Sequence, residues 1–409
     1  MGEKLEVKLD VKRSIHVINE LPHYYELQDM FDFCAKYENV YIYGTAYEQE
    51  MLLKYFDMSG IKIDGFVVTQ GEEDEREFVY RQLPVRNIHD VMKKKGAGVI
   101  LAISEKYFGS IIPMFRREGF TDYFRMSEYN KAAIAYNVRR RPKEEYTLEV
   151  NVSDHCNLSC QMCDHYSQLS KERFLDMEQF EKDMKRLGEL FDHQIACITL
   201  LGGEPTLNKN LIKCIKVVRE SFPDCQLIIL TNGVLLLDWE NYPEGNLWQA
   251  CKDYKVDITV TVYPINLKYE EMERKAEEYG INLKMSSDIH AVTPTKMVKV
   301  SDKHVMKPDK SSPNYLGIGC LYYNKFNVLK NGRIYMCPVA AHSGILNESF
   351  GQNFELTDKD SIDIYKVNSW EEITEFGCHA IPFCSYCDLR NWHHDSNWKA
   401  SSKTIDEYI

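Results

Sequence analysis

The chain has 409 residues, with 50 Lys and Arg against 62 Asp and Glu, and its formal charge of −12 is a poor footprint for a nucleic-acid backbone binder. Its thirteen cysteines are an odd number and cannot all pair, and no apolar run of signal-peptide kind opens the chain, so a cytoplasmic protein with reduced thiols is expected. The longest apolar stretches, such as residues 99–103, fall far short of a membrane span, and Met1-Gly2 is not followed by Ser or Thr at position 6 for acylation, so no membrane partner is expected.

Residues 40–44 read as a buried strand, 47–58 as a helix, and 65–68 and 98–103 as further strands, which together make a small doubly wound α/β unit. The first turn keeps Gly44 of the dinucleotide fingerprint, has Ala46 at the second glycine position and loses the third. Pyrophosphate binding and a Rossmann-like domain used for packing or partner contact both stay open. The acidic run over residues 72–77 is expected as a solvated loop. A charged break at residues 139–145, with Pro142 disfavouring helix before it, reads as a solvated hinge, phosphate capture by its arginines being the alternative.

From Tyr146 onward, strand and helix alternate five times: 147–152 and 177–191, 196–201 and 211–221, 226–230 and 247–254, 256–262 and 269–279, then 281–285. Strands separated by helices of this length imply parallel pairing in a closed or nearly closed barrel, with chemistry at the C-terminal ends of the strands. Directly after the first strand come Cys156, Cys160 and Cys163. Three and two intervening residues let a short loop wrap three thiolates around one iron–sulfur cube and leave its fourth iron open. Zinc competes, but structural zinc takes four ligands and no further Cys or His of suitable spacing adjoins. His155 and His165 are expected to orient the loop. Asp164, His165 and Tyr166 at the barrel mouth either meet substrate hydroxyls or build the loop.

The CxxxCxxC loop, Leu201-Gly202-Gly203-Glu204-Pro205 after the second strand and Thr231-Asn232-Gly233 after the third together resemble the radical S-adenosylmethionine (radical SAM) enzymes, over about residues 147–290. The resemblance implies a [4Fe-4S] cluster on Cys156, Cys160 and Cys163. It also implies a methionine amino group bound by Gly202, Gly203 and Glu204 through carbonyls and a carboxylate, with Thr231 and Asn232 near the ribose or carboxylate of S-adenosylmethionine. Met162 stands where the family usually has an aromatic residue and is expected against adenine. The implied chemistry is reductive cleavage of S-adenosylmethionine to a 5′-deoxyadenosyl radical that takes a hydrogen atom from an unactivated C–H, with a flavodoxin- or ferredoxin-type electron donor.

Downstream, residues 326–331 and 332–337 read as a hairpin turning at Asn331-Gly332, which carries Cys337 toward Cys320, while Cys384 and Cys387 supply a two-residue-spaced pair. On spacing alone these four thiolates fit a four-iron cluster or a zinc. Their order resembles the twitch domain, the shortened relative of the SPASM domain in radical SAM enzymes acting on carbohydrates and peptides, which implies one auxiliary [4Fe-4S] cluster. Cys197 and Cys214 read as small core residues, and Cys34, Cys225 and Cys251 as packing or bystander residues. Cys378, between Gly377 and His379, is an alternative ligand, a core residue or a thiol facing substrate, able to return a hydrogen atom to a carbon radical.

The expected fold is thus α/β: a Rossmann-like N-terminal domain (1–138), a linker (139–146), a partial (β/α)6 radical SAM barrel (147–318) and a twitch-like iron–sulfur domain with tail (319–409). Residues 163–170 resemble a branch associated with surface-carbohydrate gene neighbourhoods, and the N-terminal domain resembles those attached to sugar-modifying enzymes. The implied reaction is hydrogen abstraction from a carbinol carbon of a nucleotide- or phosphate-linked sugar or polyol, ending in epimerisation. Its rivals are oxidation to a ketone, peptide modification, and a non-enzymatic zinc-stabilised binding protein.

Overall fold

The computed structural model describes residues 27–44, 47–69, 79–80, 83–103, 107–286, 301–303, 306–311, 320, 323–388, 393–395 and 398–409. The acidic run at 72–77 and two residues of the Gly44 turn, 45 and 46, lie outside them. The chain divides into two units, Met1–Arg140 and Arg141–Ile409.

The first unit contains α1 (Gln28–Cys34), β1 (Asn39–Tyr43), α2 (Tyr47–Ser59), β2 (Gly65–Val68), β3 (Val79–Tyr80), β4 (Leu83–Asn87), α3 (Ile88–Met92), β5 (Ala97–Leu101), α4 (Phe108–Arg117), β6 (Tyr123–Arg125) and α5 (Glu128–Arg139). Its strands run in the order β3-β4-β2-β1-β5-β6, parallel except for the β3–β4 pair. Alternate side chains of the central strands feed two cores, Ile42, Phe66 and Ile100 on one face and Tyr41, Val67 and Val99 on the other. That is the pattern of a sheet covered on both sides. Gly44, just beyond β1 where neighbouring connections diverge, has φ +95°, a backbone only glycine adopts freely.

The second unit opens with β7 (Thr147–Ser153), α6 (Met177–Leu190), β8 (Cys197–Gly202), α7 (Leu211–Ser221), β9 (Gln226–Thr231), α8 (Leu247–Asp253), β10 (Val256–Thr261), α9 (Tyr269–Tyr279) and β11 (Leu283–Ser286). Leu211, Cys214, Ile215 and Val218 of α7 are buried at the spacing of one helix face, and the Asp176 carboxylate caps α6 by accepting from the Gln179 N–H at 2.9 Å. Strands β7 to β11 pair in parallel in chain order. Unlike strands covered on both faces, they alternate. In β10, Val256, Ile258 and Val260 are buried, whereas Asp257, Thr259 and Thr261 are half-buried. One face therefore packs with the helices, while the other carries polar groups along the inner side.

After β12 (Ser301–Lys303) come β13 (Val328–Lys330), β14 (Arg333–Tyr335), α10 (Pro338–Phe350), β15 (Ile362–Asp363), α11 (Trp370–Phe376) and β16 (His393–Asp395). The β13–β14 hairpin turns at Asn331 (φ +48°) and Gly332 (φ +72°), the paired left-handed residues that an Asn-Gly turn supplies. β13 is the sixth parallel strand, but it joins the edge of β7, with Val328 opposite Glu149, rather than following β11. The sheet order is β11-β10-β9-β8-β7-β13-β14-β15. The C-terminal hairpin therefore extends the same sheet as β7 to β11. β16 pairs with β12. Among the described residues, no helix is long and apolar enough to cross a membrane.

Candidate active site

The cysteine loop leaves β7 and is gripped at once by the turn after β8. The Gly203 N–H donates to the Ser153 carbonyl at 2.7 Å, and the Glu204 N–H donates to the His155 carbonyl at 3.0 Å. The glycines are what permit this. A Cβ on Gly202 would stand 2.2 Å from the Ser153 oxygen, and one on Gly203 would stand 2.0 Å from the His155 oxygen and 2.8 Å from the Cys156 nitrogen. The resemblance assigned both glycines to the cosubstrate; the geometry adds a second reason, since no side chain fits between the two backbones.

Glu204 is fully buried. Oε1 accepts from the Thr206 N–H (3.0 Å), the Thr206 hydroxyl (2.5 Å) and the Thr231 hydroxyl (2.6 Å), and Oε2 accepts from the Asn232 N–H at 2.8 Å. Burial raises its pKa while these donors oppose the rise. The carboxylate expected to meet an ammonium is thus tied to the end of β9. Asn232 turns the same way, with Nδ2 donating to Asn157 Oδ1 at 2.7 Å and lying 3.6 Å from Cys156 Sγ. The residue expected beside the ribose or carboxylate here supports the first cysteine.

Cys156 has two N–H groups aimed at its sulfur, Asn232 Nδ2 and the Leu158 N–H at 3.3 Å, as a thiolate ligand requires. Burial pushes its bare thiol up to about 12, and the charges of Glu204, Cys163 and Cys160 act in the same direction. At Cys163 burial, the largest single influence, also pushes upward, but the hydrogen bond and charge of His165 together with the Ser167 N–H outweigh it, and the thiol lies below its usual range. His165 is held cationic by Asp164, whose Oδ1 is 2.8 Å from Nδ1, against the pull of burial. Three converging thiols, one of them biased toward thiolate, fit a cluster held by Cys156, Cys160 and Cys163. Met162 is half-buried, with left-handed backbone at φ +56°.

The inner face of β7 carries a polar set that sequence reasoning passed over. Glu149 Oε2 and one end of the Asn151 amide are buried without a hydrogen-bond partner, beside the His165 ring that Asp164 and Cys163 hold. The other end of the Asn151 amide faces His342 Nε2 of α10 at 2.9 Å, and the two histidine rings lie 5.1 Å apart. Burial raises Glu149 from 4.5 to about 7. Because the folded chain holds this proton more tightly than the unfolded one, the stabilisation is complete in acid and is lost as pH rises from about 4.5 through about 7. Glu149→Gln is therefore expected to gain up to about 3 kcal/mol over wild type at pH 8 and close to nothing below the ordinary carboxyl range. Denaturation midpoints of both proteins across that range check it, and curves that stay parallel would refute it.

The second cysteine set also converges. Cys320, Cys337, Cys384 and Cys387 are buried, and Cys337 and Cys387 each feel the charge of Cys320 and Cys384, with burial raising both thiols. Four sulfurs in two pairs are the ligand set of a fully ligated four-iron cluster or of a zinc. Cys378, 1% exposed, donates from Sγ to the Thr374 carbonyl at 3.3 Å in the turn that ends α11. Cys34, Cys214, Cys225 and Cys251 are buried and Cys197 is half-buried.

Residues 150–267 match the profile of the radical SAM superfamily. The chain carries a radical SAM domain. Radical SAM domains work with S-adenosylmethionine and a [4Fe-4S] cluster. Among curated relatives, GTP 3′,8-cyclase of Sulfurovum sp. (strain NBC37-1) is 35% identical over 92 residues, 22% of this chain and 27% of the relative. Probable GTP 3′,8-cyclase of Pyrococcus horikoshii is 34% identical over 92 residues, with the same coverage. The chain spans about a quarter of the length of these relatives. Among solved structures, BtrN in complex with AdoMet and 2-DOIA is 18% identical, at a TM-score of 0.37 over 61% of this chain and 94% of that one. Streptococcus suis SuiB bound to S-adenosylmethionine is 14% identical, at a TM-score of 0.25 over 47% and 54%.

Proposed function

We propose that the chain is a radical SAM enzyme that abstracts a hydrogen atom from a carbinol carbon of a nucleotide- or phosphate-linked sugar or polyol and epimerises it. Cys156, Cys160 and Cys163 would hold the cluster, which with S-adenosylmethionine supplies a 5′-deoxyadenosyl radical. Gly202 and Gly203 set the cysteine loop, and Asn232 orients Cys156. Cys378 would return a hydrogen atom to the carbon radical after its thiol leaves Thr374. The thiyl radical left on sulfur then takes one electron and one proton, the electron from a flavodoxin- or ferredoxin-type donor.

The observation carrying this reading is the pair of unpartnered inner-face groups, Glu149 Oε2 and Asn151 Oδ1. A carboxyl and an amide with open valences pair with hydroxyls, which both donate and accept. A phosphate gains nothing beside Glu149 and belongs away from it. The GTP in the name of the cyclase relatives supports a nucleotide-bearing substrate. The second reading, oxidation of the same carbinol to a ketone, is favoured by the four buried sulfurs of the second set, which suit an electron acceptor.

Turnover in deuterated solvent separates the two. Epimerisation through an exchangeable thiol places one solvent deuterium on product carbon, and Cys378→Ala lowers that product by about 100-fold or more. Product without solvent deuterium means oxidation. Full incorporation by Cys378→Ala removes the donor assignment.

A further inference from the structure

Residues 398–409 bridge the cysteine loop itself. Ala400 stands opposite Cys160 in an antiparallel bridge. The Gln161 N–H donates to the Lys399 carbonyl at 2.9 Å, and the Ser401 N–H donates to the Ser159 carbonyl at 2.9 Å. The backbone is thereby held on both sides of the middle cysteine. Met162, two positions on, keeps its left-handed φ of +56°, a conformation that a residue with a side chain leaves unless its surroundings over-determine it.

The bridging segment is itself anchored. Glu407, 4% exposed, accepts from the Ser401 hydroxyl (2.7 Å), the Ser402 hydroxyl (2.7 Å) and the Ser402 N–H (2.5 Å). Tyr408 packs edge-on against Tyr166 at 5.3 Å, three residues beyond Cys163. Its carbonyl accepts from the Met306 N–H at 2.7 Å, and Met306 bridges Cys387.

We propose that residues 398–408 form a clasp that fixes the 156–163 loop in its ligating conformation, with Ser401 and Glu407 as positioning residues. This rests on the reading that Cys156, Cys160 and Cys163 hold a cluster. The clasp works through two backbone hydrogen bonds, so the atom that matters at position 401 is the N–H.

The test follows iron release to ferrozine from anaerobically reconstituted full-length protein. The triad's iron is taken as the difference between wild type and the Cys156→Ala/Cys160→Ala/Cys163→Ala variant. Ser401→Pro, which lacks the N–H, is expected to release the triad's iron about tenfold faster, the equivalent of one hydrogen bond, while Ser401→Ala and Lys252→Ala, an exposed-site control outside the clasp, stay within about 1.5-fold of wild type. Iron on the second set should leave at the wild-type rate in all three. If Ser401→Pro does not fold, Glu407→Gln decides, with release of the triad's iron expected about threefold faster at an unchanged unfolding midpoint. Release at the wild-type rate from whichever variant decides overturns the clasp alone. A triple-alanine variant that holds as much iron as wild type overturns the cluster reading and the clasp with it.

Discussion

Replacing Cys156, Cys160 and Cys163 together by alanine is expected to remove about four of about eight irons per reconstituted chain and to reduce 5′-deoxyadenosine formation to background. The four remaining irons mark the second set, whose buried sulfurs are carried by later segments of the chain. The prediction is sharp because these thiols are placed by different parts of the chain. The first three follow β7 directly, whereas Cys337 stands at the start of α10 and Cys384 and Cys387 in and after a turn at Pro382–Tyr386. An iron content of about four in wild type would remove the auxiliary cluster. Zinc without iron would sink the enzyme reading altogether.

Gly203→Ala is expected to act almost as strongly, although the residue carries no side chain. The added Cβ meets the His155 carbonyl at 2.0 Å and the Cys156 nitrogen at 2.8 Å, both backbone atoms with no flexible side chain to yield. Either the cysteine loop or the end of β8 must move, and the hydrogen bonds from Gly203 to Ser153 and from Glu204 to His155 are lost with it. The expected cost is at least about 3 kcal/mol in the stability of the second unit, with the triad's iron lost and the second set's retained. Thermal unfolding and iron analysis of the variant measure both. Wild-type iron content and stability would mean that the glycine pair is needed only for the cosubstrate.

Much of the second unit could be read in advance because its strands and helices each carry their own period. The expected helices at 211–221 and 269–279 match α7 and α9, since apolar spacing marks a helix face locally. The Asn331-Gly332 turn was legible for the same reason, two left-handed residues being a demand that few dipeptides meet. The attachment of β13 to β7 was not legible, because a three-residue strand bears no mark of which edge it will join. The resemblance implied only a cosubstrate for Glu204 and Asn232, and their partners in the structure include Thr206, Thr231 and Asn157, which spacing does not reveal. One clue to the inner-face set did stand in the sequence. Leu148-Glu149-Val150-Asn151-Val152 alternates within a run expected to pair in parallel, and a parallel strand covered on both faces has no reason to alternate.

The placement of β13 against β7 also constrains how the molecule is made. β7 is the first strand of its unit to leave the ribosome, yet the strand that covers its outer edge comes near the end, as the contact between the Thr147 hydroxyl and the Lys325 carbonyl across 178 residues shows. Throughout that stretch of synthesis β7 offers an unpaired row of backbone donors and acceptors, the kind of edge that invites pairing with other chains. Closing so long a loop is slow relative to forming the intervening β/α repeats. Until residues 328–330 are made, the native partner of that edge does not exist, so the edge is open to pairing with other chains.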